Sequence, residues 1–241
     1  MIQGSMGTIF GELKLPEAAG PVPLVILCHG FGGTLEGNRD YADAFRAAGF
    51  ATYSFDFCGG SPFSKSEGKM VDMTVLTEAA DLNAVIDHFL PDPRFSRICL
   101  WGGSQGGFVS AYVASGRPKD IDRAVLEFPA IVLQDDARKR ADANGQFPPT
   151  SNVMGHTIGR VYNETAVSFD LYDLLAACDI PVLILHGDED GIVPLSYSER
   201  AVKTFPNARL IVMPGQGHGF TGESRDKAKD LETAFLSGKA E

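Results

Sequence analysis

The chain has 241 residues, enough to bury one full-sized core, and 44% hydrophobic with 22% charged residues is ordinary for a globular domain. A formal net charge of −10 excludes the clustered cationic surface that nucleic acid needs, so no nucleic-acid partner is expected. No apolar run is long enough to span a bilayer, and Met1 to Phe10 lacks the cationic start and apolar core of a secretory signal. A cytoplasmic location without a membrane partner is therefore expected.

Short apolar runs alternate with longer amphipathic stretches, the pattern of a mostly parallel sheet covered by helices. An alternating segment, Thr8 to Leu15, reads as a first strand at a sheet edge. Continuous apolar runs follow at Leu24–Cys28, Ala51–Phe55, Ile98–Trp101, Ala124–Phe128, Val182–Leu185 and Leu210–Met213, as strands buried on both faces require. Helical patterns occupy Arg39–Ala48, Thr74–Phe89, Gly107–Ser115, Ser196–Phe205 and Ser224–Leu236. Thr74, followed by Thr77-Glu78 and apolar Leu76, Ala79, Ala80 and Leu82, predicts a capped helix start.

The rhythm breaks between Phe128 and Val182. This stretch has a charged piece (Asp135 to Asp142), a Gly/Pro-rich piece (Asn144 to Ser151) and an aromatic-bearing piece (Tyr162 to Tyr172). It is too long for a simple connection, and residues 129–180 are expected to form a lid inserted in a single domain spanning 1–241. Cys28, Cys58, Cys99 and Cys178 are scattered without metal-ligand spacing, so reduced structural thiols and no bound metal are expected. Asn163-Glu164-Thr165 matches a glycosylation sequon, which without a secretory signal is read as a chance match.

The sharpest chemical signal is Gly102-Gly103-Ser104-Gln105-Gly106-Gly107, directly after one apolar strand and before a helical pattern. A G-x-S-x-G at such a junction is a nucleophile elbow: small neighbours let a strained turn expose the serine Oγ at a helix N-terminus. No lysine follows at phosphate-loop spacing. A serine hydroxyl needs a base oriented by an acid, and in this arrangement the chain order is serine, acid, histidine. Of the later histidines, His218 lies in a glycine-rich loop past the last strand, whereas His186 ends a strand and His156 sits in the insert. The acid belongs in the turn His186 to Pro194, where Asp188, Glu189 and Asp190 compete. The segment Cys28 to Gly33, after another buried strand, is placed to complete an oxyanion hole, with the backbone N–H groups of Phe31 and Gln105 as donors. His29 is read as a structural residue fixing that loop.

These residues resemble the α/β-hydrolase superfamily along nearly the whole chain. Its acid-bearing turn usually reads H-G-x-x-D-x-x-V-P, which places the acid at Asp190. More narrowly, H-G-F-G-G at His29 to Gly33, F-D-F at Phe55 to Phe57, M-T-V-L at Met73 to Leu76, G-x-S-Q-G-G and the size of the insert resemble small bacterial cinnamoyl (feruloyl) esterases. The resemblance implies an α/β-hydrolase fold with a lid before the acid-bearing strand, no cofactor, and hydrolysis of hydroxycinnamic esters through an acyl-enzyme on Ser104. It also implies Asp136, Gln146 and Tyr162 as polar lid residues facing the ring of a small-molecule ester. The chain departs from that pattern at Gly103, where many relatives carry histidine. A generic short-chain carboxylesterase is the nearest alternative. A thioesterase, a peptidase and a non-catalytic receptor of the same fold are further off. Oligomeric state, including a homodimer, is left open.

Overall fold

The computed structural model describes residues 1–239. Its strands are β1 (Ile2–Gly4), β2 (Gly7–Ile9), β3 (Gly11–Lys14), β4 (Val22–Cys28), β5 (Ala51–Phe55), β6 (Phe95–Gly103), β7 (Ile121–Glu127), β8 (Thr150–Val153), β9 (His156–Gly159), β10 (Val182–Gly187) and β11 (Ala208–Met213). The helices are α1 (Arg39–Ala47), α2 (Val75–Phe89), α3 (Gln105–Gly116), α4 (Leu133–Lys139), α5 (Arg160–Ala166), α6 (Leu171–Leu175), α7 (Leu195–Thr204) and α8 (Gly222–Leu236). Seven strands form one sheet in the order β11-β10-β7-β6-β4-β5-β3, parallel throughout except for β3, which runs antiparallel along β5 at the edge. The expected first strand is split: Gly7–Ile9 pairs with β1 in a separate hairpin, and only Gly11–Lys14 joins the sheet.

The continuous apolar runs follow from helices covering both faces. On one face Leu24, Ile26, Leu100 and Ile184 pack in a core with Leu82, Phe108 and Ala201 from α2, α3 and α7. On the other, Val25, Leu27, Trp101 and Leu185 pack with Phe45 of α1 and Phe235 of α8. Helix α2 begins as its sequence predicts: Thr74 Oγ1 accepts from Thr77 N–H at 3.0 Å, and Thr77 Oγ1 accepts from Thr74 N–H at 2.8 Å.

Because β4, β6, β7, β10 and β11 are parallel, their carboxyl ends share one edge, and the loops that leave them meet there. Between β7 and β10 the chain adds α4, the β8–β9 hairpin, α5 and α6. The hairpin starts at the end of the Gly/Pro-rich piece and was not legible in the sequence. It turns on Met154-Gly155, both at positive φ (50° and 85°), the backbone twist a two-residue hairpin loop favours. Its strand β9 carries His156 to the loop after β4, where the imidazole lies beside Gly32 and 5.9 Å from the Phe31 ring.

All four cysteines are free and buried. Asn163 is fully buried, donating to Ser151 Oγ and accepting from Arg140, so the sequon asparagine is an internal strut. Among the described residues, no helix is long and apolar enough to cross a membrane.

Candidate active site

Ser104 sits at φ 54° and ψ −120°, between the end of β6 and the first turn of α3. A non-glycine residue in that region carries steric strain, which the surrounding packing must hold. Two neighbours make the turn possible. A Cβ on Gly102 would lie 2.3 Å from Gly106 O, and one on Gly106 would lie 2.3 Å from Cys28 O, so strand and helix can approach only if both are glycine. Ser104 N–H donates to Glu127 O at 2.9 Å, and Ser104 O accepts from Phe108 and Ala130 N–H, which pins the elbow to β7 and α3.

His218, in the loop after β11, lies with Nε2 2.9 Å from Ser104 Oγ and Nδ1 2.8 Å from Asp190 Oδ2. Nδ1–H donates to the carboxylate, which leaves Nε2 to accept the serine proton. The Asp190 side chain is fully buried. Its Oδ1 accepts from Ile192 N–H and Val193 N–H, both at 2.8 Å, which fixes Oδ2 toward His218. Asp188 points elsewhere, its Oδ1 accepting from Gly215 N–H at 2.6 Å. Hydrogen bonding thus separates Asp188 from Asp190, and of the three competing carboxylates it is Asp190 that bonds the imidazole.

His186 is structural, as expected, and adds a function the sequence did not suggest. Nδ1 lies 2.7 Å from Ser198 Oγ and Nε2 2.9 Å from Val193 O, with Asp190 Oδ2 at 3.3 Å. Burial holds its pKa below the ordinary value, so a neutral ring braces the acid-bearing turn. His29 likewise ties its own loop, with Nδ1–H donating to Gly30 O and Nε2 accepting from Phe57 N–H. That loop packs tightly on the serine: a Cβ on Gly30 would lie 3.2 Å from Ser104 Cβ. Phe31 and Gln105 therefore flank Ser104 from the β4 loop and from the first residue of α3.

A cavity of about 270 Å³ opens at Ser104, lined by Phe31, Phe128, Met154, His218 and Phe220 among others. Phe128, at φ 36°, is a second strained residue, and its ring lies 4.7 Å from the His218 imidazole.

The three lid residues singled out in the sequence are not brought to this cavity. Asp136, in the first turn of α4, pairs with Lys139 at 2.9 Å on the surface. Gln146 is exposed, its backbone closing a turn with Asp142. Tyr162 is buried, and its hydroxyl donates to Gln105 Oε1 at 2.6 Å. Their positions in the sequence carried no information on how the insert folds back.

Glu78 was missed. It is fully buried on α2 and accepts from Gln105 Nε2 at 2.8 Å, and burial pushes its pKa up to about 8. Gln105 is thus clamped from both sides, by Glu78 and by Tyr162. The signal was an acid at 78 spaced three and four residues from Val75 and Leu82 on the apolar face of a predicted helix. No group of His, Cys, Asp and Glu among the described residues is arranged to hold a metal ion.

Residues 19–172 match the family model described as "Serine aminopeptidase, S33", and residues 166–240 match one described as "TAP-like protein". The chain belongs to the α/β-hydrolase superfamily. This α/β hydrolase superposes with a TM-score of 0.87 on Est1E from Butyrivibrio proteoclasticus with ferulic acid bound, at 25% identity, covering 96% of this chain and 95% of that one. A monoacylglycerol lipase from Mycolicibacterium smegmatis is 25% identical over 241 residues, 86% of this chain and 85% of the lipase. A non-heme haloperoxidase from Rhodococcus erythropolis is 43% identical over 89 residues, 36% of this chain. That match spans 31% of the haloperoxidase, about a third of its length.

Proposed function

We propose that this α/β hydrolase is a serine carboxylesterase that forms an acyl-enzyme on Ser104. The observation that carries the reading is the continuous chain from Ser104 Oγ through His218 to Asp190, at 2.9 and 2.8 Å, on a strained elbow. In the first half-reaction Ser104 Oγ attacks the ester carbonyl as His218 Nε2 takes its proton. The N–H groups of Phe31 and Gln105 receive the developing oxyanion. The carbon–oxygen bond to the alcohol then breaks, and the alcohol leaves with the proton from His218. Water repeats the sequence on the acyl group, releasing the acid and restoring Ser104. Asp190 keeps the His218 tautomer and stabilises its imidazolium. The insert, residues 129–180, serves as a lid through the hairpin that sets Met154 on the cavity.

The likeness to Est1E over nearly the whole of both chains supports hydroxycinnamic esters as the substrate class, with the aromatic acyl group seated against Phe31 and Met154. A short-chain carboxylesterase is the second reading, favoured by the surface positions of Asp136 and Gln146. Paired kcat/KM values for methyl ferulate and 4-nitrophenyl butyrate separate the two. A ferulate value equal to or above that for the activated butyrate supports the first; butyrate turnover alone selects the second. Ser104→Ala should lower kcat by several orders of magnitude for either ester, leaving only the residual rate that binding and the oxyanion donors supply. Near-normal turnover by that variant rejects the acyl-enzyme.

A further inference from the structure

Beneath the elbow, on the sheet face covered by α1 and α8, lie two acids that the triad does not use. Glu127 ends β7 and Glu232 lies on α8; both are buried, and their side chains are hydrogen-bonded to each other. The Tyr41 hydroxyl of α1 bonds Glu127, and Trp101 Nε1–H of β6 donates to Glu232 Oε2 at 3.0 Å. Among the described residues, no N–H reaches Glu127 Oε1 or Glu232 Oε1. Two carboxyl groups bond each other only through a proton, because an ionised carboxylate offers acceptors alone. One proton held between them completes the network, where two buried like charges in contact would repel.

The surrounding charges do not replace that proton. Asp40 of α1 adds a further negative charge. Arg225 of α8, the cation that acts on both acids, is committed to Asp40 at 2.7 and 2.8 Å, and Lys229 also reaches Asp40, at 3.7 Å. On the far side stands His218, its ring centroid 4.7 Å from that of Phe128. Burial accordingly pushes Glu127 up to about 7 and Glu232 well above the ordinary glutamate value.

The pair is joined to the reacting groups through the main chain. Glu127 O accepts Ser104 N–H at 2.9 Å. The next residue, Phe128, sits at φ 36° with its N–H donating to Leu185 O at 2.7 Å, and its ring packs on His218. The loop that carries His218 leads directly into α8, the helix of Glu232. Strand β7 thus anchors the nucleophile, α8 follows the base, and the two acids meet between them.

We propose that Glu127 and Glu232 share one proton and that the protonated pair is a positioning element, locking the Ser104 elbow to the helix behind the His218 loop. The positioning role rests on the esterase reading; the shared proton does not. When that proton leaves to solvent, the two carboxylates repel, β7 and α8 move apart, and Ser104 and His218 lose their alignment.

Trp101 is the single tryptophan of the chain and its indole N–H bonds Glu232, so its fluorescence reports on the pair without any substrate. In the parent, Trp101 emission is expected to change in one transition between about pH 6 and 9, and the alkaline limb of kcat/KM for 4-nitrophenyl butyrate should fall over the same range. Glu232→Gln keeps an acceptor for Trp101 and offers Glu127 a donor without a second charge. In that variant the emission transition should disappear, and activity should persist about one pH unit or more further into alkali, mainly through kcat. Glu127→Gln, the same exchange on the other partner, should do likewise. Parent emission that stays flat over this range, or a transition that survives in both amide variants, overturns the shared proton. A transition lost in the variants while the alkaline limb stays in place overturns the positioning role. If the parent turns over no ester at any pH, the esterase reading and the positioning role fail together, and Trp101 emission still decides the shared proton.

Discussion

The hydroxyl of Tyr162 donates to the side-chain oxygen of Gln105 across 2.6 Å, joining the insert to the residue that follows the nucleophile. Gln105 holds Glu78 with its other end, so an internal chain runs from α5 through the start of α3 to α2. The backbone N–H proposed for the oxyanion is thereby set by contacts from two distant segments.

Tyr162→Phe removes one end of that clamp without changing the ring. The expected result is a fall in kcat of roughly five- to tenfold with KM little changed, because the lost bond of about 1 kcal/mol positions a donor used in the transition state. Steady-state kinetics with both parameters resolved checks it. A rise in KM alone would make Tyr162 a substrate contact instead.

Asp190→Asn and Asp188→Asn separate the two carboxylates of one turn. The first is expected to lower kcat by about three to four orders of magnitude, since an amide stabilises the wrong histidine tautomer and no imidazolium. The second removes a surface charge while its amide oxygen keeps accepting from Gly215 N–H, and it should stay within about tenfold of the parent. Comparable losses in both would contradict the assignment of the acid.

Burial holds Glu78 at about 8, above its ordinary value of 4.5, so the folded protein binds its proton more tightly than the unfolded chain does. Its favourable share of stability is fully present below about pH 4.5 and is lost as pH rises through about 8. Glu127, raised to about 7 by burial, acts in the same direction over a narrower window. Urea midpoints measured from pH 5 to 9 should therefore decline with pH more steeply for the parent than for Glu78→Gln. An equal slope in both proteins would remove Glu78 from the account.

Gly106→Ala would put a methyl 2.3 Å from Cys28 O and 2.6 Å from His29 O, backbone atoms that cannot yield without separating β4 from α3. A loss of about 3 kcal/mol or more, or failure to fold, is expected from such overpacking. Gly116→Ala, at the end of the same helix with nothing within 4 Å of its Cβ, is the control and should cost little. Thermal denaturation of the pair reads the difference.

Most of the fold was legible because local chemistry dictates it. Strands covered on both faces must be apolar throughout, as Leu24–Cys28 and Val182–Leu185 are, and Thr74 with Thr77 forms a cap from neighbouring residues alone. Ser104 and His218 stood out because an elbow needs glycines at fixed offsets and a swinging base needs a glycine-rich loop. The choice among Asp188, Glu189 and Asp190 came from family resemblance, since three acids in one turn look alike until the backbone N–H groups of Ile192 and Val193 orient one of them. The insert was legible only as a region. Whether Asp136, Gln146 or Tyr162 reaches Ser104 depends on how α4, the β8–β9 hairpin and α5 pack, and that packing joins residues far apart in the chain. The same holds for Glu78 and Glu127, each visible in sequence as an acid in an apolar run. What each one bonds to, Gln105 for Glu78 and Tyr41 with Glu232 for Glu127, was decided by helices and strands that meet from distant parts of the chain.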